Sequence, residues 1–570
     1  MDEPAPSPLK APPPTFRELF TPKLVTLLRD GYGARDLTAD AMAGLTVAIV
    51  ALPLSMAIAI ASGLSPEKGL FTAIVGGFLI SALGGSRFQI GGPAGAFIVL
   101  IAAIVERHGY EGLVLATAMA GLMMMAAGFL QVGTYIKYIP LPVTVGFTAG
   151  IAVIILASQV KEVLGLDIAT EPAALAPKLA AIWAALGTIN PAAVALSALA
   201  VGLILGLRRL RPHWPGMLIA VGATAILTAL LGLDVTTIGS RFGDIPRTLP
   251  LPSLPSFDLA KLRAVLPDAI AIAMLGSIES LLSAVVADGM TGRKHRSNCE
   301  LVAQGVANIA SVTFGGMCAT GTIARTATNI RAGARTPVSG MLHALYILLF
   351  LLVAAPLAAY VPLASLGSVL VVVAWNMAER EEFANLLRAS WGDATVLLAT
   401  FLLTIFEDLT IAIAVGVTLG AFLFMHRMAE GVEVATGRPL VADDAADEAG
   451  ASAGYEPAAY GGDILVYRIS GAFFFAATAT VRGVLDRIGE HPKIFILDFS
   501  DVPLVDSTAA KSLEGFVKKL DRAGTKVFFT SARRGVRRTL LRAGLRTPLV
   551  TYAPSIEDAA EAARKSPSTG

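Results

Sequence analysis

The sequence predicts a polytopic α-helical membrane protein that ends in a small α/β domain, and three observations carry that expectation. Hydrophobic residues make up 55% of the chain and charged residues only 15%, with a mean hydropathy of +0.68, outside the range of soluble globular domains. Uncharged apolar runs of membrane-crossing length recur between residues 41 and 428. Beyond a short acidic stretch, the pattern changes to strands alternating with helices.

Residues 1–40 form a polar lead, in which "PAPSP" and "APPP" oppose regular structure. Nothing there resembles a cleavable signal, so the first span is expected to direct insertion. The membrane region, 41–428, contains uncharged runs at 41–62, 69–86, 88–105, 112–136, 138–160 and 214–233. The run 338–378 is long enough for two spans, since one crossing takes ~20 residues. About fourteen crossings result. With the N-terminus cytoplasmic, the basic residues of "LRRLRPHW" (207–214), "GRKHR" (292–296) and "IRAGART" (330–336), and "AEREEF" (378–383) with Arg388, all fall inside, as the positive-inside rule requires. An even count leaves both termini cytoplasmic. Residues 429–461 read as a linker with Asp443, Asp444, Asp447 and Glu448, and 462–567 as the soluble domain.

Several classes are disfavoured. Two cysteines, Cys299 and Cys318, and six scattered histidines supply neither a disulfide framework nor a metal site. A net charge of +2 without a basic, aromatic-interleaved patch gives no reason to expect nucleic acid. The tail has no Gly-rich phosphate loop and no nucleophile–base–acid set, so the chain does not read as an enzyme. It needs no cofactor beyond a coupling ion, H⁺ or Na⁺.

Two segments break the helical pattern. "SRFQIGGPAGAF" (86–97) and "GGMCATGTIARTATN" (315–329) put Gly, Pro or Thr where a spanning helix should continue, about half the membrane region apart. Paired interrupted segments at matching positions of two halves point to a binding site built by an inverted repeat. Arg325 strengthens this, because a charge at the centre of a lipid-embedded helix costs roughly 2.5–3.5 kcal/mol unless it faces water or a partner. A half-helix beginning near Thr320 or Thr322, with Gly321 and Ala324 leaving room beside Arg325, would aim free N–H groups and a positive dipole end at a cavity. Its counterpart would begin near Pro93, with Gly92 and Gly95 allowing close approach to the backbone. Two facing N-termini and one arginine make an anion site.

Glu279 is the only charge between Asp268 and Asp288, which puts it near mid-span. It reads either as a structural partner of Arg325 or of a helix end, or as a coupling site that takes a proton or helps bind Na⁺. Protonated, it would leave a site of roughly +2, suited to a dianion. Ser55, beside Pro53 in the first span, could face the same cavity or simply mark a kink. Asn329 could bond a freed carbonyl, and His343 reads as a packing residue. In the tail, Asp506, Ser507 or Thr508 would cap the helix that follows.

"GGSRFQIGGPAGAF", "GSIESLLSAVVADGMTGRKHRSNCELVAQGVANI" and "GGMCATGTIARTATNIRAGARTP" resemble the SulP anion transporters, whose animal relatives form solute carrier family 26. "ILDFSDVPLVDSTAAKSLE" resembles the STAS domain that follows the transporter in that family. The resemblance implies a 7+7 inverted repeat with core and gate domains, a homodimer in the bacterial inner membrane, and elevator-type transport. It implies an anion site between the third and tenth segments, with Arg325 as the tenth-segment arginine and Glu279 as the eighth-segment carboxylate. Ala94 stands where animal members have an aromatic residue, which would leave a roomier site. Ser507 or Thr508 matches a position phosphorylated in related regulators, and the STAS domain could bind a cytoplasmic regulatory partner. The expected function is proton-coupled symport of a dianion, either sulfate or a C4-dicarboxylate such as succinate or fumarate. Sodium-coupled bicarbonate transport, a passive anion channel and a membrane-tethered signalling protein are the alternatives. A nucleobase permease suits Arg325 and the tail less well.

Overall fold

The computed structural model describes residues 15–138, 140–168, 171–172, 174–211, 214–253, 258–407, 409–430, 433–436, 464–474 and 493–565. The "PAPSP" and "APPP" stretches and the acidic residues at 443–448 lie outside these. So does most of the first helix expected in the tail. The chain divides into two compact units, Met1–Val417 and Thr418–Gly570.

In the first unit the apolar runs fold as helices, since only internal hydrogen bonds can satisfy a backbone surrounded by lipid. In chain order they are α1 (Ala34–Ala61), α2 (Pro66–Leu83), α3 (Ile98–Phe129), α4 (Leu141–Leu164), α5 (Pro191–Leu210) and α6 (Gly216–Leu231). Then follow α7 (Leu259–Thr291), α8 (Ser297–Thr313), α9 (Ile323–Arg331), α10 (Val338–Ala354), α11 (Leu363–Met377) and α12 (Trp391–Phe406), and α13 (Leu409–Glu430) begins in this unit and ends in the second. Among the described residues, eight helical spans are long and apolar enough to cross a bilayer. Gly109, at φ 66°, bends α3 into two arms, so the expected connection at 106–112 is helix on both sides of a kink. With the arms counted separately, seven segments run to the end of α6 and seven from α7 to α13. Shorter helices, Leu175–Ala184 and Ile238–Phe242, occupy connections that the apolar runs did not mark.

Pro53 does not interrupt the first span: α1 is helical on both sides of it, as α7 is around Pro267. Proline removes one intrahelical bond, and tight packing by neighbouring helices makes that tolerable. Here α2 comes so close that a β-carbon on Gly69 would stand 2.0 Å from the Ser55 carbonyl oxygen. The helices form two packed groups, α1–α3 with α7–α10, and α4–α6 with α11 and α12.

The two broken segments meet at the centre of the first group. Strand β1 (Gly91–Gly92) pairs antiparallel with β2 (Thr320–Gly321), Gly91 opposite Gly321 and Gly92 opposite Thr320. Each strand leads into a helix. A 3₁₀ turn at Gly95–Phe97 opens α3, and Thr322 sits at the N-cap of α9. Pro93 therefore lies in extended chain rather than in a first helical turn, and its carbonyl is left free to accept a bond from another segment.

The second unit holds a five-stranded sheet, β3 (Glu433–Thr436), β4 (Ile464–Ser470), β5 (Ile494–Asp501), β6 (Lys526–Thr530) and β7 (Thr551–Ala553), hydrogen-bonded in that order. The first pair is antiparallel and the others parallel. Helices α14 (Ser507–Arg522), α15 (Arg534–Arg542) and α16 (Ile556–Lys565) complete the α/β pattern read from the tail.

Candidate functional site

Three helices hold the extended stretch that leads into β2. Asn308 of α8 takes both backbone groups of Ala319, donating from Nδ2 to its carbonyl and accepting its N–H at Oδ1, each at 2.8 Å. Thr72 of α2 accepts the Met317 N–H at 2.8 Å, and Ser311 of α8 donates to the Met317 carbonyl at 2.7 Å. Tyr110, just past the kink in α3, donates to the Gly316 carbonyl at 2.8 Å. Buried backbone that belongs to no helix must be satisfied by side chains in this way. On the other side, Thr326 accepts the Ile90 N–H at 3.1 Å, and the Thr322 N–H donates to the Ile90 carbonyl at 3.0 Å. Asn329 donates to the Phe88 carbonyl at 3.0 Å, the capping role expected for it.

Arg325 lies within this frame and is only 3% exposed. Its Nη2 donates to the Pro93 carbonyl at 2.9 Å and, more weakly, to the Ser55 hydroxyl at 3.4 Å. Its Nε and Nη1 have no partner. A buried donor left unpaired costs about 1–3 kcal/mol, more when charged, so the guanidinium is fixed at one corner and unsatisfied at the others. Gly92, at φ 150°, makes room for it: a β-carbon there would stand 2.3 Å from Nη1.

A cavity of about 340 Å³ opens beside the arginine. Pro93, Ala94 and Gly95 from the start of α3, Thr322, Ala324 and Arg325 from the start of α9, and Glu279 of α7 line it. Its far wall comes from the second helix group, through Thr148 of α4, Met217 of α6 and the end of α11. The cavity thus lies between the two groups.

The structure brings most of the expected residues to one place, and it sets four apart from the cavity lining: Gly92, which makes room for Arg325, and Ser55, Thr320 and Gly321. Ser55 is buried behind the wall and reaches the site only through Arg325. Thr320 turns away, its hydroxyl donating to the Gly276 carbonyl at 3.1 Å. Gly321 is held against the Gln89 side chain, which fills the space a β-carbon would need. Glu279 makes no ion pair with Arg325 among the described residues; it lines the cavity as a separate group. His343 is fully buried and neither ring nitrogen has a partner. Ser507 and Thr508 are exposed at the start of α14, where Asp506 supplies the cap to the Ala509 N–H at 2.8 Å.

Several lining residues carry no signal in the sequence, Thr148, Met217 and Asn376 among them, and one further lining residue is charged. Glu379, exposed at the cavity mouth beyond α11, falls in "AEREEF", a charge-rich stretch that reads as a solvated loop. A positive φ of 40° at a non-glycine was the distinguishing feature, and the sequence does not display it.

An arginine donor beside two broken helix starts, in a cavity between two groups of membrane-spanning helices, defines a multi-pass anion transporter rather than an enzyme. Residues 37–400 match the sulfate permease family and residues 458–559 the STAS domain, and the chain belongs to the sulfate permease family. It is 40% identical to the putative sulfate transporter YvdB of Bacillus subtilis, over 90% of this chain and 95% of that one. It is 33% identical to the bicarbonate transporter BicA of Synechocystis, over 89% and 90%. The murine Slc26a9 anion transporter in the inward-facing state has the same fold, with a TM-score of 0.83 at 18% identity, covering 98% of this chain and 97% of that one.

Proposed function

We propose that the chain carries a small oxyanion in symport with a proton, the anion on Arg325 and the backbone N–H groups opening α3 and α9, the proton on Glu279. The observation that carries this is the guanidinium itself. Pinned at Nη2 by Pro93 and unpartnered at Nε and Nη1 beside an open cavity, it is complete only with an acceptor. A cavity of about 340 Å³ has room for sulfate or a C4-dicarboxylate. Its position between two helix groups suits an elevator-type displacement of α1–α3 and α7–α10 against the rest. Asn376 and Glu379 line it at the end of α11, the side that the positive-inside rule assigns to the cytoplasm, which supports anion exchange with that side from this cavity. The STAS domain, with Ser507 and Thr508 exposed, serves as a regulatory and assembly module of a homodimer in the inner membrane.

Bicarbonate is the second reading, with Na⁺ as its coupling ion. Glu379 favours it, since a second carboxylate in the wall suits a monoanion better than a dianion, and one relative is a bicarbonate transporter. Uptake of labelled sulfate, succinate, fumarate and bicarbonate into proteoliposomes, with and without a pH gradient, separates the readings. A proton-driven signal for a dianion is expected. Uptake of bicarbonate alone, driven by sodium, would establish the second reading instead.

A further inference from the structure

The charges lining the cavity do not suit a dianion as they stand. Among the described residues, three ionisable side chains face it, Arg325, Glu279 and Glu379, one positive and two negative when ionised. A proton on Glu279 removes one negative charge. Glu379 remains.

The neighbourhood of Glu379 does not offset its charge. The adjacent guanidinium of Arg380 is drawn onto the Trp375 ring, 3.8 Å from its centroid. Arg208, at the end of α5, donates to the Asn376 side chain at 3.1 Å. Glu381 and Glu382 follow on the helix Arg380–Ala389 and add negative charge. Among the described residues, Glu379 makes no ion pair. Its left-handed backbone, with φ 40° and ψ 47°, makes the turn between α11 and that helix and holds the residue at the mouth.

We propose that Glu379 selects the substrate by valence. Its unbalanced carboxylate at the open end of the cavity lowers affinity for every anion and does so twice as strongly, in free energy, for a dianion as for a monoanion. Coulomb energy is proportional to the charge of the ligand, so a factor f in the Kd of a monoanion becomes f² for a dianion at the same site. A merely structural role would shift both by the same factor. The inference rests on the reading of this cavity as the anion site.

The test is equilibrium binding to the purified full-length protein, with labelled sulfate measured directly and bicarbonate by competition. Glu379→Gln is expected to tighten bicarbonate about twofold and sulfate about fourfold at low salt. Glu379→Lys should extend the shift, and Glu379→Asp, which keeps the charge, should leave both anions near their wild-type affinities. Raising inert salt from 0.1 to 0.5 M shortens the screening length from about 10 to about 4 Å and should compress the differences. Where only one anion binds, the order Asp, Gln, Lys and its collapse in salt decide the matter. Equal factors for the two anions, or an order insensitive to charge and salt, would overturn the inference alone. Failure of the wild type to bind either anion while its thermal melt is intact would overturn the reading beneath it as well.

Discussion

Gly92 and Arg325 are fitted to one another: a β-carbon on the glycine would stand 2.3 Å from Nη1 of the arginine, and the Pro93 carbonyl beside it accepts from Nη2 at 2.9 Å. The strand pairing of Gly92 with Thr320 makes this fit possible, because it sets the opening of α3 directly against the opening of α9. The first predicted consequence is local. Gly92→Ala should force the guanidinium off the Pro93 carbonyl and strain a backbone at φ 150° that alanine rarely adopts. Anion uptake should fall about tenfold or more, with a melting temperature only a few degrees lower. Uptake at the wild-type rate would show that the position of Arg325 does not matter.

The proposed coupling role of Glu279 rests on its carboxylate lining the same cavity as Arg325 without pairing with it. Adding a proton there makes the cavity less negative by one charge and so favours anion entry. Wild-type uptake should rise as the external pH is lowered. Glu279→Gln, fixed in the neutral state, should bind the anion and exchange it while losing the dependence on an imposed pH gradient. Comparing counterflow with gradient-driven uptake in the same proteoliposomes checks this, and an unchanged gradient dependence counts against Glu279.

The frame around β2 predicts a stability effect separable from chemistry. Asn308→Ala leaves the buried N–H and C=O of Ala319 without partners, at a cost of about 2–4 kcal/mol. Asn308→Asp keeps an acceptor for the Ala319 N–H but sets a carboxylate against the Ala319 carbonyl in a fully buried site, so it should cost at least as much as alanine at neutral pH and less at low pH, where it is protonated. A thermal melt of the detergent-solubilised protein, read alongside uptake, gives the order.

In the second unit, Asp498 sits in the middle of the parallel sheet, taking hydrogen bonds from Ser500 at 2.7 Å, Thr530 at 2.9 Å and Arg468 at 2.9 Å. Burial alone would raise its carboxyl pKa, but these donors together with Ser531 outweigh burial and hold it below the ordinary aspartate value. A depressed carboxyl contributes stability that is present above the unfolded-state pKa, about 3.9, and lost as the pH falls through the lower folded value. Asp498→Ala should therefore destabilise this domain at pH 7, and the gap to wild type should narrow below about pH 4. Hydrogen exchange across 493–565 in the intact protein, at both pH values, measures it.

Much of this was legible in the sequence, for reasons that also explain what was not. Arg325 stood out because a charge in an apolar stretch is costly, and "GGPAGAF" because Gly and Pro interrupt a helix where a span should run. Both signals are local, and both led to the cavity wall. The pairing of β1 with β2 is not local, and two-residue strands have no periodicity to read. Pro93 was assigned to a helix start on its own preference, whereas the structure uses its carbonyl to hold a residue more than two hundred positions away. Pro53 alone suggests a kink in the first span, and only the close packing of α2 against α1, which the sequence does not display, explains why the helix continues through it. Glu379 was hidden by company: among Glu381, Glu382 and Arg380 it looked like one more charge in a loop.

The central claim is that Arg325 is the anion-binding cation of this transporter, and Arg325→Ala tests it most directly. Labelled anion uptake by wild-type and variant proteoliposomes, matched for protein content and thermal melt, is the measurement. The account predicts that the variant loses uptake to the level of empty vesicles and that Arg325→Lys, which keeps the charge but not the planar fork of donors, restores only part of it. Uptake by a folded Arg325→Ala protein at the wild-type rate and affinity would contradict the account.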